Sequence, residues 1–127
     1  MGAKKRVLAV DDEKLIVLAI RHNLEHAGYE VIEAFDGREA LEKIEAHRPD
    51  LVVLDVMMPE LNGWDVLSSI RDDPEVRDTP VIMLTALGHD ADEREGVIRG
   101  ADVYLTKPYE PQQLVELVNR LLAPEDF

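Results

Sequence analysis

At 127 residues the chain is long enough for one domain with a substantial core and too short for two. Its formal net charge of −13 argues against direct nucleic acid binding, which needs a basic surface to displace counterions from phosphates. No apolar run reaches membrane-spanning length, and the lack of cysteine excludes disulfides, thiolate chemistry and a zinc–thiolate cluster. The basic start, Lys4-Lys5-Arg6, borders a strand and reads as a solvated terminus rather than a secretory signal, so a cytoplasmic protein without a membrane partner is expected.

In chain order, apolar runs of strand length alternate five times with stretches of helical period. Arg6 to Val10 is the first strand. A helix from about Glu13 to Ala27 follows, with Ile16, Ile20 and Leu24 as its inner face and Gly28 at the position just past its end, where positive φ is needed. Tyr29 to Ala34 is the second strand. Asp36 and Glu39 have capping-box spacing for the next helix, whose Ala40, Leu41 and Ile44 face the core. Leu51 to Leu54 is the third strand, then a loop through Met58-Pro59-Glu60-Leu61-Asn62-Gly63, then a helix carrying Trp64, Leu67 and Ile70.

Val81 to Leu84 is the fourth strand, and a polar helix is predicted from about Asp90 to Arg99, ended by Gly100. Ala101 to Thr106 is the fifth strand. Pro111 suits the first turn of the last helix, with Leu114, Leu117, Val118 and Leu121 as its buried stripe. Continuous apolar strands separated by helices predict a parallel sheet covered on both faces, an α/β fold built as a three-layer α/β/α sandwich. Residues 1–127 make one domain, and no output domain is expected in this chain.

Chemistry-bearing residues sit where the strands end. Asp11 and Asp12 follow the first strand, Asp55 the third, Thr85 the fourth and Lys107 the fifth. In an open parallel sheet these ends share one edge, where ligands bind. A carboxylate after a strand as apolar as Leu51-Val52-Val53-Leu54 has low-dielectric walls. Asp55 is therefore a candidate nucleophile toward a phosphoryl group, against the plainer reading of a solvated aspartate capping a turn. Asp11 and Asp12, alternating along a strand, would point apart, yet at a strand end both can reach one cavity. Clustered carboxylates repel unless a cation neutralises them, and Mg²⁺ suits hard oxygen donors. The plainer alternative is that Asp12 caps the first helix and Asp11 is exposed, and Asp12 is expected to serve as both cap and ligand. Lys107 would balance charge during transfer, against the plainer reading, favoured for the residue in isolation, of a surface lysine before a turn, and its bond to Pro108 invites a cis peptide without fixing the isomer. Thr85 either offers a hydroxyl to a phosphoryl oxygen or is a β-branched residue that simply finishes its strand. Tyr104 is either a rotamer switch coupled to Thr85 or a half-buried strand residue.

Taken together, Val10-Asp11-Asp12-Glu13, Leu54-Asp55-Val56-Met57-Met58-Pro59 with Asn62-Gly63, Leu84-Thr85-Ala86, and Gly100-Ala101-Asp102 through Lys107-Pro108-Tyr109 resemble the receiver domain of two-component response regulators over essentially the whole chain. The resemblance implies a flavodoxin-like five-stranded sheet of order 2-1-3-4-5. It implies that Asp55 takes phosphate from a sensor histidine kinase or histidine phosphotransfer protein, with Mg²⁺ held by Asp11 or Asp12, Asp55 and the Met57 carbonyl. Thr85, Tyr104 and Lys107 match the switch and catalytic positions. Such a domain joins in its own phosphotransfer and dephosphorylation without turning over an external substrate. The family often has Phe where Tyr109 stands, a departure expected to alter packing alone.

From these residues we expect phosphorylation to draw Thr85 inward and let Tyr104 turn in. That would remodel the face made by the 90–99 helix, the fifth strand and the last helix, for a downstream protein or for a phosphorylation-dependent dimer. Asp90, Asp92, Glu93, Arg94, Glu95 and Arg99 charge that helix and Gly96 weakens it. Met57 and Leu87, two residues beyond Asp55 and Thr85, are apolar and orient water poorly, which predicts a long-lived phosphoryl state. Three competitors are weaker. An aspartyl-nucleophile phosphatase needs an acid–base carboxylate just past Asp55, where Val56 and Met57 stand. A dinucleotide-binding enzyme needs a glycine-rich turn where Asp11-Asp12-Glu13 stands. A phosphorylation-independent binding module could dispense with the acidic residues, and all are present.

Overall fold

In the computed structural model, which describes residues 4–86 and 100–122, the strands run without interruption because both of their faces are covered. Five strands, β1 (Arg6–Val10), β2 (Glu30–Ala34), β3 (Leu51–Asp55), β4 (Val81–Ala86) and β5 (Val103–Lys107), form one parallel sheet of order β2-β1-β3-β4-β5. The helices are α1 (Lys14–His26), α2 (Gly37–His47), α3 (Gly63–Asp72) and α4 (Pro111–Leu122). The fold class and strand order read from the sequence are those observed. The helix predicted over 90–99, with Leu87, lies outside the described residues.

Side-chain alternation sorts the strand residues into two cores. Leu8, Val10, Val52, Leu54, Val81 and Met83 pack with Ala40 and Ile44 of α2 and Trp64, Leu67 and Ile70 of α3. Val7, Ala9, Leu51, Val53, Ile82, Leu84 and Leu105 pack with Val17, Ile20 and Leu24 of α1 and Leu114 and Val118 of α4. Every one of these residues is buried. On α1 the inner stripe is Val17, Ile20 and Leu24, with Ile16 half-buried at its edge. Leu41 of α2 and Leu117 and Leu121 of α4 are likewise half-buried.

Local chemistry explains the helix boundaries. Gly28 follows α1 at φ 103°, a conformation that side chains with a Cβ disfavour. Asp36 Oδ1 accepts from Glu39 N at 2.7 Å, as its spacing predicts, but the return arm from Glu39 Oε1 goes to Phe35 N rather than to Asp36 N. Asn62 and Asp65 form a full reciprocal capping box at the start of α3. Pro111 is the first residue of α4. Asp12, expected to cap α1, does not do so. The cap position falls on Glu13, which makes no side-chain cap hydrogen bond, and it is Asp11 Oδ1 that accepts from Glu13 N at 3.0 Å.

Candidate functional site

The same alternation that builds the two cores assembles the site. Asp11 continues the Val7–Ala9 parity of β1, Asp55 the Leu51–Val53 parity of β3, and Lys107 the Val103–Leu105 parity of β5. All three therefore emerge on the α1/α4 side at the C-terminal edge of the sheet, Asp11 and Asp55 from adjoining strands and Lys107 from across β4. Lys107 Nζ donates to Asp55 Oδ1 at 2.9 Å and to Asp11 Oδ2 at 3.3 Å. Asp11 is wholly buried and Asp55 is 4% exposed, while Asp12 is exposed at the mouth. Carboxylate oxygens of Asp11, Asp12 and Asp55 all lie within 4.8 Å of one another. Asp11 is thus the buried member of the pair and Asp12 the open one, the reverse of the plainer expectation.

Asp55 is held in place from below. Gly63 N donates to Val56 O at 3.0 Å, and a Cβ on Gly63 would collide with the Asp55 carbonyl oxygen. Only glycine lets the loop from Val56 to Asn62 close against the strand end. Met57 lies in that loop and is 63% exposed, and its apolar side chain gives the approach to Asp55 no polar lining at this point.

Burial and the ion pairs pull the charge states in opposite directions. It pushes the Asp55 carboxyl up to about 6, against the pull of the Lys107 hydrogen bond, and the charge of Asp11 adds to the rise. Asp11 is also raised by burial, tempered by the Glu13 N–H and by Lys107. For Lys107, burial acts to lower the ammonium, but the hydrogen bond and charge of Asp55, then those of Asp11, outweigh it and raise the group. The site therefore holds more negative charge than its one ammonium comfortably neutralises. Its donors are hard carboxylate oxygens, with no sulfur or imidazole among them, which fits a small divalent cation such as Mg²⁺.

Thr85 and Tyr104 fall on the other parity. Thr85 is 2% exposed, pairs with Thr106 in register, and shares this edge of the sheet. Among the described residues it does not enter the hydrogen bonds that join Lys107, Asp55 and Asp11. Tyr104 is half-buried on the α2/α3 side, its ring 6.2 Å from Trp64 with planes at 55°. The Lys107–Pro108 bond is cis. Tyr109 packs half-buried against the α1/α4 core, where burial raises its phenol above the usual range.

Two features of the site, the Asn62 cap and the close approach at Gly63, were not drawn from the sequence, and neither was the ion pair of Arg71 with Asp102 at 2.9 Å at the other end of the sheet. The Asn62-x-x-Asp65 spacing signalled the first. The Gly63 approach depends on how one loop closes, and the Arg71–Asp102 pair joins segments 31 residues apart, so neither carries a local pattern.

Comparison with known proteins agrees with this geometry. The family model for the response regulator receiver domain matches residues 7–119. The chain is 45% identical over 123 residues to the alkaline phosphatase synthesis transcriptional regulatory protein PhoP of Bacillus subtilis, covering 97% of this chain and 50% of that protein. It is 40% identical over 121 residues to the DNA-binding dual master transcriptional regulator RpaA of Synechocystis, again over 50% of that protein. Among solved structures, a putative response regulator from Chloroflexus aurantiacus superposes with a TM-score of 0.91 at 37% identity, covering 96% of this chain and all of that one. The chemotaxis protein CheY4 of Vibrio cholerae does so with 0.89 at 39% identity, covering 94% of this chain and all of that one. The chain belongs to the response regulator receiver family, whose general function is phosphorylation-based two-component signalling. It spans about half the length of the curated relatives it matches.

Proposed function

We propose that this domain accepts a phosphoryl group on Asp55 from a phosphohistidine of a sensor histidine kinase or histidine phosphotransfer protein. The observation that carries the proposal is the buried Asp55 carboxylate with Lys107 Nζ 2.9 Å from its Oδ1 and two further aspartates beside it. In the reaction an Asp55 oxygen forms a bond to phosphorus as the phosphorus–nitrogen bond to the donor imidazole breaks. Asp55 must be ionised to attack, and Lys107 holds its oxygen in place while offering positive charge to the phosphoryl oxygens. Asp11 and Asp12, with Asp55 and the Met57 carbonyl, are the groups that would hold Mg²⁺. When bound, the ion offsets negative charge shared between the carboxylates and the phosphoryl group. Asp11 is itself fixed by Glu13 N, which ties the acidic pair to the start of α1.

Thr85, buried at the adjoining strand end, would bond a phosphoryl oxygen and move with it, and the Tyr104 ring beside Trp64 would answer that movement. The output is a changed face on β5 and α4, read by a downstream protein or by a second phosphorylated copy. With −13 of formal charge, this domain contacts no nucleic acid directly, and any DNA binding of the kind named for its relatives belongs to another partner or region. We place its action in the cytoplasm as part of this proposal; separately, among the described residues no helix is long and apolar enough to cross a membrane. The domain takes part in its own phosphorylation and dephosphorylation and turns over no external substrate.

The test is the intact mass after incubation with acetyl phosphate and Mg²⁺. One phosphoryl adduct should form in the parent and none in Asp55→Asn. An adduct of equal yield in both would overturn the assignment.

A further inference from the structure

Lys107 can serve Asp55 only if β5, which among the described strands pairs with β4 alone, sits at the correct height beside it. β5 is the edge strand, and of its five residues only Leu105 is buried. At its entry a polar clasp joins three segments. Arg71, in the last turn of α3, donates from Nε to Gly100 O at 2.8 Å. Its Nη1 donates to Arg77 O at 2.9 Å and to Thr79 O at 2.6 Å, and its Nη2 to Asp102 Oδ2 at 2.9 Å. The same Asp102 oxygen accepts from Val81 N at 2.8 Å, while Asp102 N donates to Val81 O at 3.1 Å. One guanidinium thus binds the loop that leads into β4 and the turn that leads into β5, and Asp102 locks the two strand starts side by side. Gly100 makes room for this. It sits at φ 93°, and a Cβ there would come within 3.3 Å of Arg71 Nε.

We propose that Arg71 is a positioning residue for phosphoryl transfer: by clasping Asp102 and Gly100 it sets the register of β5, and so places Lys107 on Asp55 at the opposite end of the sheet. This rests on Lys107 acting on Asp55 as described above. The lever is direct. Five residues separate Asp102 from Lys107, about 17 Å of strand. The register it fixes runs from Ile82–Val103 to Ala86–Lys107. A slip of one residue would turn Lys107 away to the other face of the sheet. Arginine is suited to the task because four of its donors are used at once in a planar fork, which lysine cannot reproduce.

The experiment is a double-mutant cycle on the labelling rate with acetyl phosphate and Mg²⁺, using Arg71→Gln and Lys107→Ala singly and together, with the folded fraction of each checked by circular dichroism. Arg71→Gln should slow labelling about tenfold or more in the parent, since misplacements near 1 Å cost up to about a hundredfold. In the Lys107→Ala background the same change should cost less than about twofold, because the residue it positions is gone. Arg71→Lys should fall between. Equal losses in both backgrounds, or no loss in the parent, would overturn the proposal. Should Arg71→Gln not fold, Asp102→Asn replaces it in the same cycle with the same expectations. Register is also read without labelling, from cross-strand amide contacts of Thr85 with Thr106 and Ala86 with Lys107 by NMR. These should weaken in Arg71→Gln, and their full retention would equally count against the clasp. A parent that labels neither with acetyl phosphate nor with phosphorylated kinase would instead refute the phosphoacceptor assignment, and the NMR contacts would still decide the role of Arg71.

Discussion

Asp55→Asn should stabilise the metal-free protein at neutral pH, although it removes the central functional group. Burial holds the Asp55 carboxyl at about 6 rather than 3.8, so its ionised form is penalised in the folded state. The sign follows from linkage. Below the unfolded value the group is protonated in both states and contributes its full share of stability, and that share is lost as pH rises through about 6. The interval corresponds to about 3 kcal/mol, an upper bound because an amide also pays some desolvation. An asparagine carries no proton to lose and keeps an oxygen for Lys107. In EDTA at pH 7.5 the variant should therefore be more stable by about 1 to 3 kcal/mol, or about 4 to 10 °C in Tm for a domain of this size. Urea unfolding of both proteins at intervals from pH 4 to pH 8 measures it. The gap should close toward pH 4, and added Mg²⁺ should narrow it at pH 7.5 by stabilising the parent. A variant less stable than the parent at pH 7.5, or a gap that widens toward pH 4, would refute the reasoning.

Other variants test separate parts of the account. Lys107→Ala should slow labelling by about a hundredfold and push Asp55 above its present value of about 6, since its hydrogen bond now lowers that group; a ¹³C carboxyl titration would show the rise. Met57→Asn should shorten the phosphoryl lifetime by about tenfold by supplying a polar group that can orient water at an exposed position, and an unchanged decay rate by intact mass would dismiss that explanation. Gly63→Ala should cost about 3 kcal/mol in urea unfolding, because its Cβ meets the Asp55 carbonyl and the loop must shift. Asn62→Ala removes the α3 cap and should cost about 1 kcal/mol by the same assay, with little effect on labelling.

The fold was legible because each strand is a short apolar run and each helix an amphipathic one, and periodicity needs no tertiary knowledge. Its errors were local. Ile16 has the same four-residue spacing to Ile20 as Ile20 has to Leu24, but the true stripe curves through Val17, since 3.6 residues per turn drifts off a strict repeat of four. Strand β4 runs on to Ala86 and β5 to Lys107, past the apolar residues that marked them, because pairing with each other extends the ladder. Asp55, Asp11 and Lys107 were readable as strand-end residues. What composition could not reveal was which aspartate is buried: the turn after β1 spends Asp11 on Glu13 N and leaves Asp12 open, so Asp12 does not cap α1. The Arg71 clasp was invisible for a simpler reason. Arg71 and Asp102 lie 31 residues apart, and nothing in either neighbourhood announces the other.

The proposed function depends on Asp55 being the acceptor, and intact mass after acetyl phosphate and Mg²⁺ addresses that directly. A single adduct in the parent, lost when EDTA is present during labelling and missing from Asp55→Asn, is the predicted result. An adduct that forms equally well in Asp55→Asn, or a parent that stays unlabelled with acetyl phosphate and with phosphorylated kinase alike, would contradict it.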